Sequence, residues 1–159
     1  MASDSHSRKI YNTMVSALKN NGWNFSEAEN GELVIYSACS SEDLRIQFTI
    51  RVDSERQVIQ FLSMLPFTFA QEKCVDASIA ICVANYGMVN GVFDYNYQSG
   101  KVIFRLTTSF VDCEFGEQFF MLMMATAIGT IDQYNDKFYM LSKGTLTLEE
   151  FIKMEESNL

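Results

Sequence analysis

The stretch "LRIQFTIRV", residues 44–52, alternates without a break. Leu44, Ile46, Phe48, Ile50 and Val52 fall on one side; Arg45, Gln47, Thr49 and Arg51 fall on the other. A period of two marks a strand with one covered and one open face, and a helix cannot satisfy it. The turn residues "DSER" follow, and then a second apolar run, "QVIQFLSML". Strands joined by so short a turn are antiparallel. Pairing Val52 with Gln57 sets Ile50 opposite Ile59, Phe48 opposite Phe61 and Leu44 opposite Leu65, which assembles one apolar face. "ELVIYSA", just upstream, reads as a further strand.

Helices flank these strands. Ile10, Tyr11, Met14, Val15 and Leu18 recur at helical spacing from Asp4 or Ser7, and Gly22 stops the helix. Residues 1–7 are expected to be disordered. The single proline, Pro66, falls between elements. From about Ala70 to Tyr86 the pattern predicts a helix that buries Val75, Ile79, Val83 and Tyr86, with Gly87 as a left-handed cap. A long helix is expected from Glu117, with Phe120, Met124, Ile128 (or Ala127), Ile131 and Phe138 along one stripe. Its upper half is apolar all round, so most of its sides should be covered. A last helix begins at "TLTLEEF", where Thr147 and Glu150 have capping-box spacing.

A second hairpin lies in "FDYNYQSGKVIFRL", residues 93–106. A two-residue turn at Ser99-Gly100 sets Tyr97 opposite Val102, Tyr95 opposite Phe104 and Phe93 opposite Leu106, all on one face. Slipping by one residue would send half of them to the other side. In that register Asp94 lies directly across from Arg105. Arginine stays protonated and no nucleophile stands beside it, so the two charges read as a register pair. The whole chain of 159 residues then forms one α+β domain with an antiparallel sheet, in the order α-β-β-β-α-β-β-α plus a short C-terminal helix.

Chemistry is sparse. His6 is the only histidine, so a triad, a zinc site or a histidine base would have to rest on it. Cys39, Cys74, Cys82 and Cys113 are scattered without zinc spacing; Cys74 and Cys82, two turns apart on one helix, read as small core residues. No metal or cofactor is expected. Carboxylate pairs such as Glu114 and Glu117, Asp132 and Asp136, Glu149 and Glu150, or Glu155 and Glu156 resemble solvated helix faces more than a glycosidase pair. "ENG" at 29–31 forms no phosphate loop, and the methionines of "FFMLMM" read as plastic core.

Net charge is −8, which disfavours both nucleic acid and anionic membranes. The apolar run Phe119–Ile131 is short of the roughly 20 residues that a bilayer span needs, and the polar N-terminus does not read as a signal peptide. A cytoplasmic protein is expected.

"NGVFDYNYQSGKVIFRLTTSF", the helix through "ATAIGTIDQYNDKFYML" and the closing "KGTLTLEEFIKMEE" together resemble the YbjN family, whose members are described as bacterial sensory-transduction regulators. The resemblance runs from about Arg8 to Glu155. It implies the fold of type III secretion chaperones, which are small, acidic, cytosolic and usually dimeric. It carries over no catalytic residue.

A non-enzymatic protein-binding module, chaperone-like or regulatory, is the leading expectation. The alternative is a small-ligand sensor or a carboxylate-dependent enzyme with a pocket beneath the long helix. The first hairpin's open face supports the former, because Arg45, Arg51, Val58, Leu62 and Met64 mix three apolar side chains with two arginines where an ordinary solvent face would be polar. The expected occupant is a client chain or a second copy. The bland alternative is that the terminal helix, Leu148–Met154, folds over that face.

Overall fold

The computed structural model describes residues 2–41 and 44–156. Its elements are α1 (Ala2–Asn20), β1 (Phe25–Glu27), β2 (Val34–Cys39), β3 (Ile46–Asp53), β4 (Val58–Thr68), α2 (Cys74–Tyr86), β5 (Val92–Asn96), β6 (Lys101–Ser109), α3 (Glu117–Lys143) and α4 (Leu148–Glu156). The six strands form one antiparallel sheet in the order β1-β2-β3-β4-β6-β5. The α+β class and the element order match expectation, apart from β1. "FSE" is too short to register as a strand by periodicity.

Both hairpins keep the expected faces but change register by two residues. Ile50 pairs with Phe61 and Val52 with Ile59; Phe93 pairs with Phe104 and Tyr95 with Val102. Turn chemistry is the cause, and it is the same in both. Asp53 Oδ1 accepts the N–H groups of Glu55 and Arg56 at 3.1 and 2.9 Å. Asn96 Oδ1 accepts those of Gln98 and Ser99, both at 3.0 Å. Each side chain thereby closes a four-residue loop whose last member is left-handed, Gln57 at φ 53° and Gly100 at φ 68°. The two-residue turn expected at Ser99-Gly100 is therefore not formed, and Tyr97 sits exposed in the loop. Gly100 is required twice, because a Cβ there would also run into the Phe69 carbonyl.

Pro66 lies inside β4 rather than between elements. The β3–β4 ladder ends at Thr49–Leu62, and the β4–β6 register breaks between Met64 and Thr68. A residue without an N–H costs little where no ladder bond is made. The expected Leu44–Leu65 and Phe48–Phe61 pairs do not form, because the two-residue shift gives Phe61 to Ile50, although the Phe48 and Phe61 rings still stack at 4.8 Å.

The inner face of the sheet is packed by α1 and α3. Phe61, Phe93, Phe104, Phe120, Phe138 and Phe151 are fully buried. Phe93 meets Phe104 and Phe138 edge-on at 5.1 Å, and Phe138 stacks on Phe151 at 5.6 Å, which ties the second hairpin through α3 to α4. The long-helix stripe is as expected, with Ala127 buried in preference to Ile128. Thr147 and Glu150 form their capping box, backbone N–H to side-chain oxygen in both directions.

Two expectations about helices fail. Residues 2–7 are helical, not disordered, and His6 Nε2 lies 2.9 Å from the Cys113 carbonyl with its ring edge-on to Phe110. In α2 the buried stripe is Ala77, Ala80, Ile81 and Ala84, whereas Val75 is 63% and Tyr86 84% exposed. This helix is apolar on every side, so periodicity alone could not choose its face. The small alanines let it approach closely instead. Cys82 points outward with Val75 and Ile79, so it is no core thiol, and Gly87 has φ −86° rather than a left-handed value.

Asn85, near the end of α2, bonds both the N–H and the carbonyl of Phe93, at 2.8 and 3.0 Å. It acts as a one-residue strand partner on the outer edge of β5. Among the described residues, no helix is long and apolar enough to cross a membrane.

Candidate functional site

The outer face of the sheet is the side opposite α1 and α3. One row of paired residues crosses all six strands: Ser26, Tyr36, Thr49, Leu62, Arg105 and Val92. In the neighbouring row Ala38 pairs with Gln47, and Met64, Ile103 and Asp94 stand side by side. These rows line an open groove of about 770 Å3 that reaches from Asn24 and Phe25 to Ile103.

The groove is apolar where it is lined by Leu62, Met64, Ile103 and the ring of Tyr36. Met64 is 49% exposed and Tyr36 47%. Twist and the parting of β3 from β4 open its floor as far as Phe48. The terminal helix does not cover it. α4 turns back onto α2 and α3, where Phe151 is buried and Glu155 accepts hydrogen bonds from the Tyr134 hydroxyl at 2.8 Å and Lys137 Nζ at 2.7 Å. Burial, reinforced by that carboxylate, raises the Tyr134 phenol pKa well above its ordinary value. The bland alternative to an interaction patch is thereby overturned.

Arg45, Leu62 and Met64 line the groove together, as the alternation implies. Arg51 and Val58 share the same face, but stand further toward the first turn, opposite Gln60 and Asp53. Sequence reasoning missed Tyr36 and Ile103. Ile103 alternates with the buried Val102 and Phe104, Tyr36 follows the buried Ile35, and only the strand order shows that they adjoin Met64 and Thr49.

Asp94 and Arg105 also lie on this face. Arg105 Nε donates to Asp94 Oδ2 at 2.7 Å and an Nη to Oδ1 at 3.1 Å, and the hydrogen bond raises the guanidinium pKa further. Asp53 is held below the usual carboxylate range, first by the Arg56 N–H and then by the Arg56 guanidinium. Burial, with Asp132 nearby, pushes the Cys39 thiol up, away from nucleophilic character. Among the described residues no His, Cys, Asp and Glu cluster has metal-site geometry.

Beneath α3, between Ile131 and Asn135 and the strands at Ile46, Ser63 and Leu65, the gap is narrower than a water molecule. A shallow pocket of about 250 Å3 lies beside α3 instead, between Met88 and Asn90 of the loop before β5 and Thr126, Thr130 and Gln133 of the helix, with no carboxylate among the described residues of its lining.

No family profile matches the sequence, and no curated protein is significantly similar to it. Among solved structures, YbjN, a proposed transcription regulator from E. coli, superposes with a TM-score of 0.57 over 77% of this chain and 85% of its own, at 13% identity. The chain has the fold of YbjN. The HopA1–SchA chaperone–effector complex supplies a second match, with a TM-score of 0.54 over 81% of this chain and 96% of that one, at 8% identity. The YbjN-like, chaperone-like architecture implied by the hairpin and closing helices is thus the one observed. At such identities the likeness is one of fold alone.

Proposed function

We propose that the chain is a non-enzymatic protein-binding module, chaperone-like or regulatory, that holds a partner chain on the outer face of its sheet. The observation that carries this is the uncovered groove around Leu62, Met64, Ile103 and Tyr36. A sheet normally buries each apolar face against a second layer, and α4, the helix expected to supply it, packs elsewhere. The mixture of aliphatic, aromatic and arginine side chains fits the composition of interface centres. The chaperone–effector neighbour supports the same reading by analogy of fold.

Arg45, Arg51, Val58, Leu62 and Met64 are the proposed contact residues, with Tyr36 and Ile103 added. A cytoplasmic location, one folded domain and freedom from nucleic acid and membrane belong to the same proposal. So does a homodimer, which would use this face or the exposed Val75, Ile79 and Tyr86 of α2.

The test compares wild type with Leu62→Glu by light scattering and by pull-down from the native cell. The variant should stay folded and lose its partner or its dimer. A Leu62→Glu protein that retains every interaction would refute the reading.

A further inference from the structure

The charges around the groove identify the chemistry of its partner. Among the described residues of the outer strands and the groove lining, the cationic side chains are Arg45, Arg51, Lys101 and Arg105 and the carboxylates are Asp94 and Asp53, while Glu32 and Glu55 line the edge pocket that Arg51 shares. Asp94 is engaged by Arg105 and Asp53 by Arg56. Among the described residues Arg45 and Lys101 have no ion pair, and Arg51 makes no close one, although it acts at longer range on Asp53. Among the described residues, none that lines the groove itself is acidic. The described lining of the groove is thus positive, on a chain whose net charge is −8.

The cations bracket the apolar centre. Arg51 stands two residues beyond Thr49 toward the first turn, whereas Arg45 and Lys101 lie beyond Gln47 and Ile103 toward the other end of the strands. We propose that the segment held here is acidic as well as apolar: two or three aliphatic or aromatic side chains seated on Leu62, Met64 and Ile103, with Asp or Glu reaching the arginines and lysine on either side. This rests on the protein-binding reading and specifies its partner.

Size and field agree. From β1 to β6 the groove crosses four strand spacings, roughly 19 Å, the length of about six extended residues. It is open to solvent along its length, so a small molecule would stay largely wet while a chain segment would not. A long polyanion such as nucleic acid would extend past the positive face onto an acidic surface and be repelled. A short acidic segment meets only the complementary patch, which also steers its approach.

A displayed library of random peptides, panned against the intact protein, tests this. The selected peptides should carry Asp or Glu beside apolar residues and lose binding to Leu62→Glu. The charge-reversed Arg45→Glu/Arg51→Glu/Lys101→Glu protein, checked for an unchanged melting curve, should bind them at least about tenfold more weakly. Leu62-dependent peptides with no acidic excess, or with binding indifferent to charge reversal, overturn the acidic partner and leave the docking face standing. If no selected peptide depends on Leu62, the protein-binding reading falls as well. A dimer of the free protein that Leu62→Glu dissolves assigns the face to a second copy, and also overturns the inference.

Discussion

Asp94 and Arg105 join in a two-bond ion pair although they are not opposite each other: the residue facing Asp94 across the ladder is Ile103, and Arg105 reaches it on the diagonal. Both side chains are about half exposed, 47% and 40%, so screening keeps the pair weak. Asp94→Asn should lower stability by no more than ~1 kcal/mol. Urea denaturation in low and high salt checks this, and a larger loss would mean that the pair does more than set register.

Asp53 should matter more. Its carboxylate shapes the first turn through two backbone N–H groups as well as Arg56. Asp53→Ala should cost about 1–2 kcal/mol, and Asp53→Asn, which keeps an acceptor at Oδ1, less.

The same residue gives a pH dependence of known sign. Its folded-state pKa is lowered, so its contribution is complete above the unfolded value of roughly 3.9 and fades as pH falls through the lower folded one. Glu150, lowered by the Thr147 N–H and hydroxyl, acts in the same direction. The gap between wild type and Asp53→Asn should therefore narrow below about pH 4. A constant gap down to pH 2 would disprove the assignment.

Neighbouring positions on β4 should separate core from surface. Phe61→Ala empties a fully buried site and should destabilise by about 3–5 kcal/mol. Leu62→Glu, one residue on and facing outward, should shift the thermal midpoint little. Equal losses at the two positions would show that the outer face is covered core.

Lys137 should anchor α4. Glu155 is buried, and Lys137 supplies its only cation among the described residues. Lys137→Met should cost about 1–3 kcal/mol by leaving a buried carboxylate without its partner. Adding Glu155→Gln should recover part of that loss, because the neutral amide keeps its bond to the Tyr134 hydroxyl. Thermal melts of the single and double variants test the pair.

Faces were legible in the sequence wherever a period of two held. Ile46, Phe48 and Ile50 are buried, and Arg45, Gln47 and Arg51 are exposed, as their alternation requires. Register was not, because it depends on which residue closes each turn, and the closing agents are single oxygens of Asp53 and Asn96. Either register puts the same side chains on the same face, so hydrophobic patterning cannot discriminate between them. The outer groove was half legible: Arg45, Leu62 and Met64 came from one hairpin, while Tyr36 and Ile103 needed the strand order. The α2 face was illegible, since Val75 and Ile79 are more apolar than the alanines that are buried in their place.

Asn85 has a consequence for growth of the sheet beyond one molecule. A free strand edge is a template on which another chain can add. At β5 the outward N–H and carbonyl of Phe93 are already taken by the Asn85 amide, so an incoming strand finds that position occupied. The opposite margin, β1, offers only three residues. Edge-to-edge addition to this sheet is thereby hindered at both margins, by a side-chain amide at one and by brevity at the other.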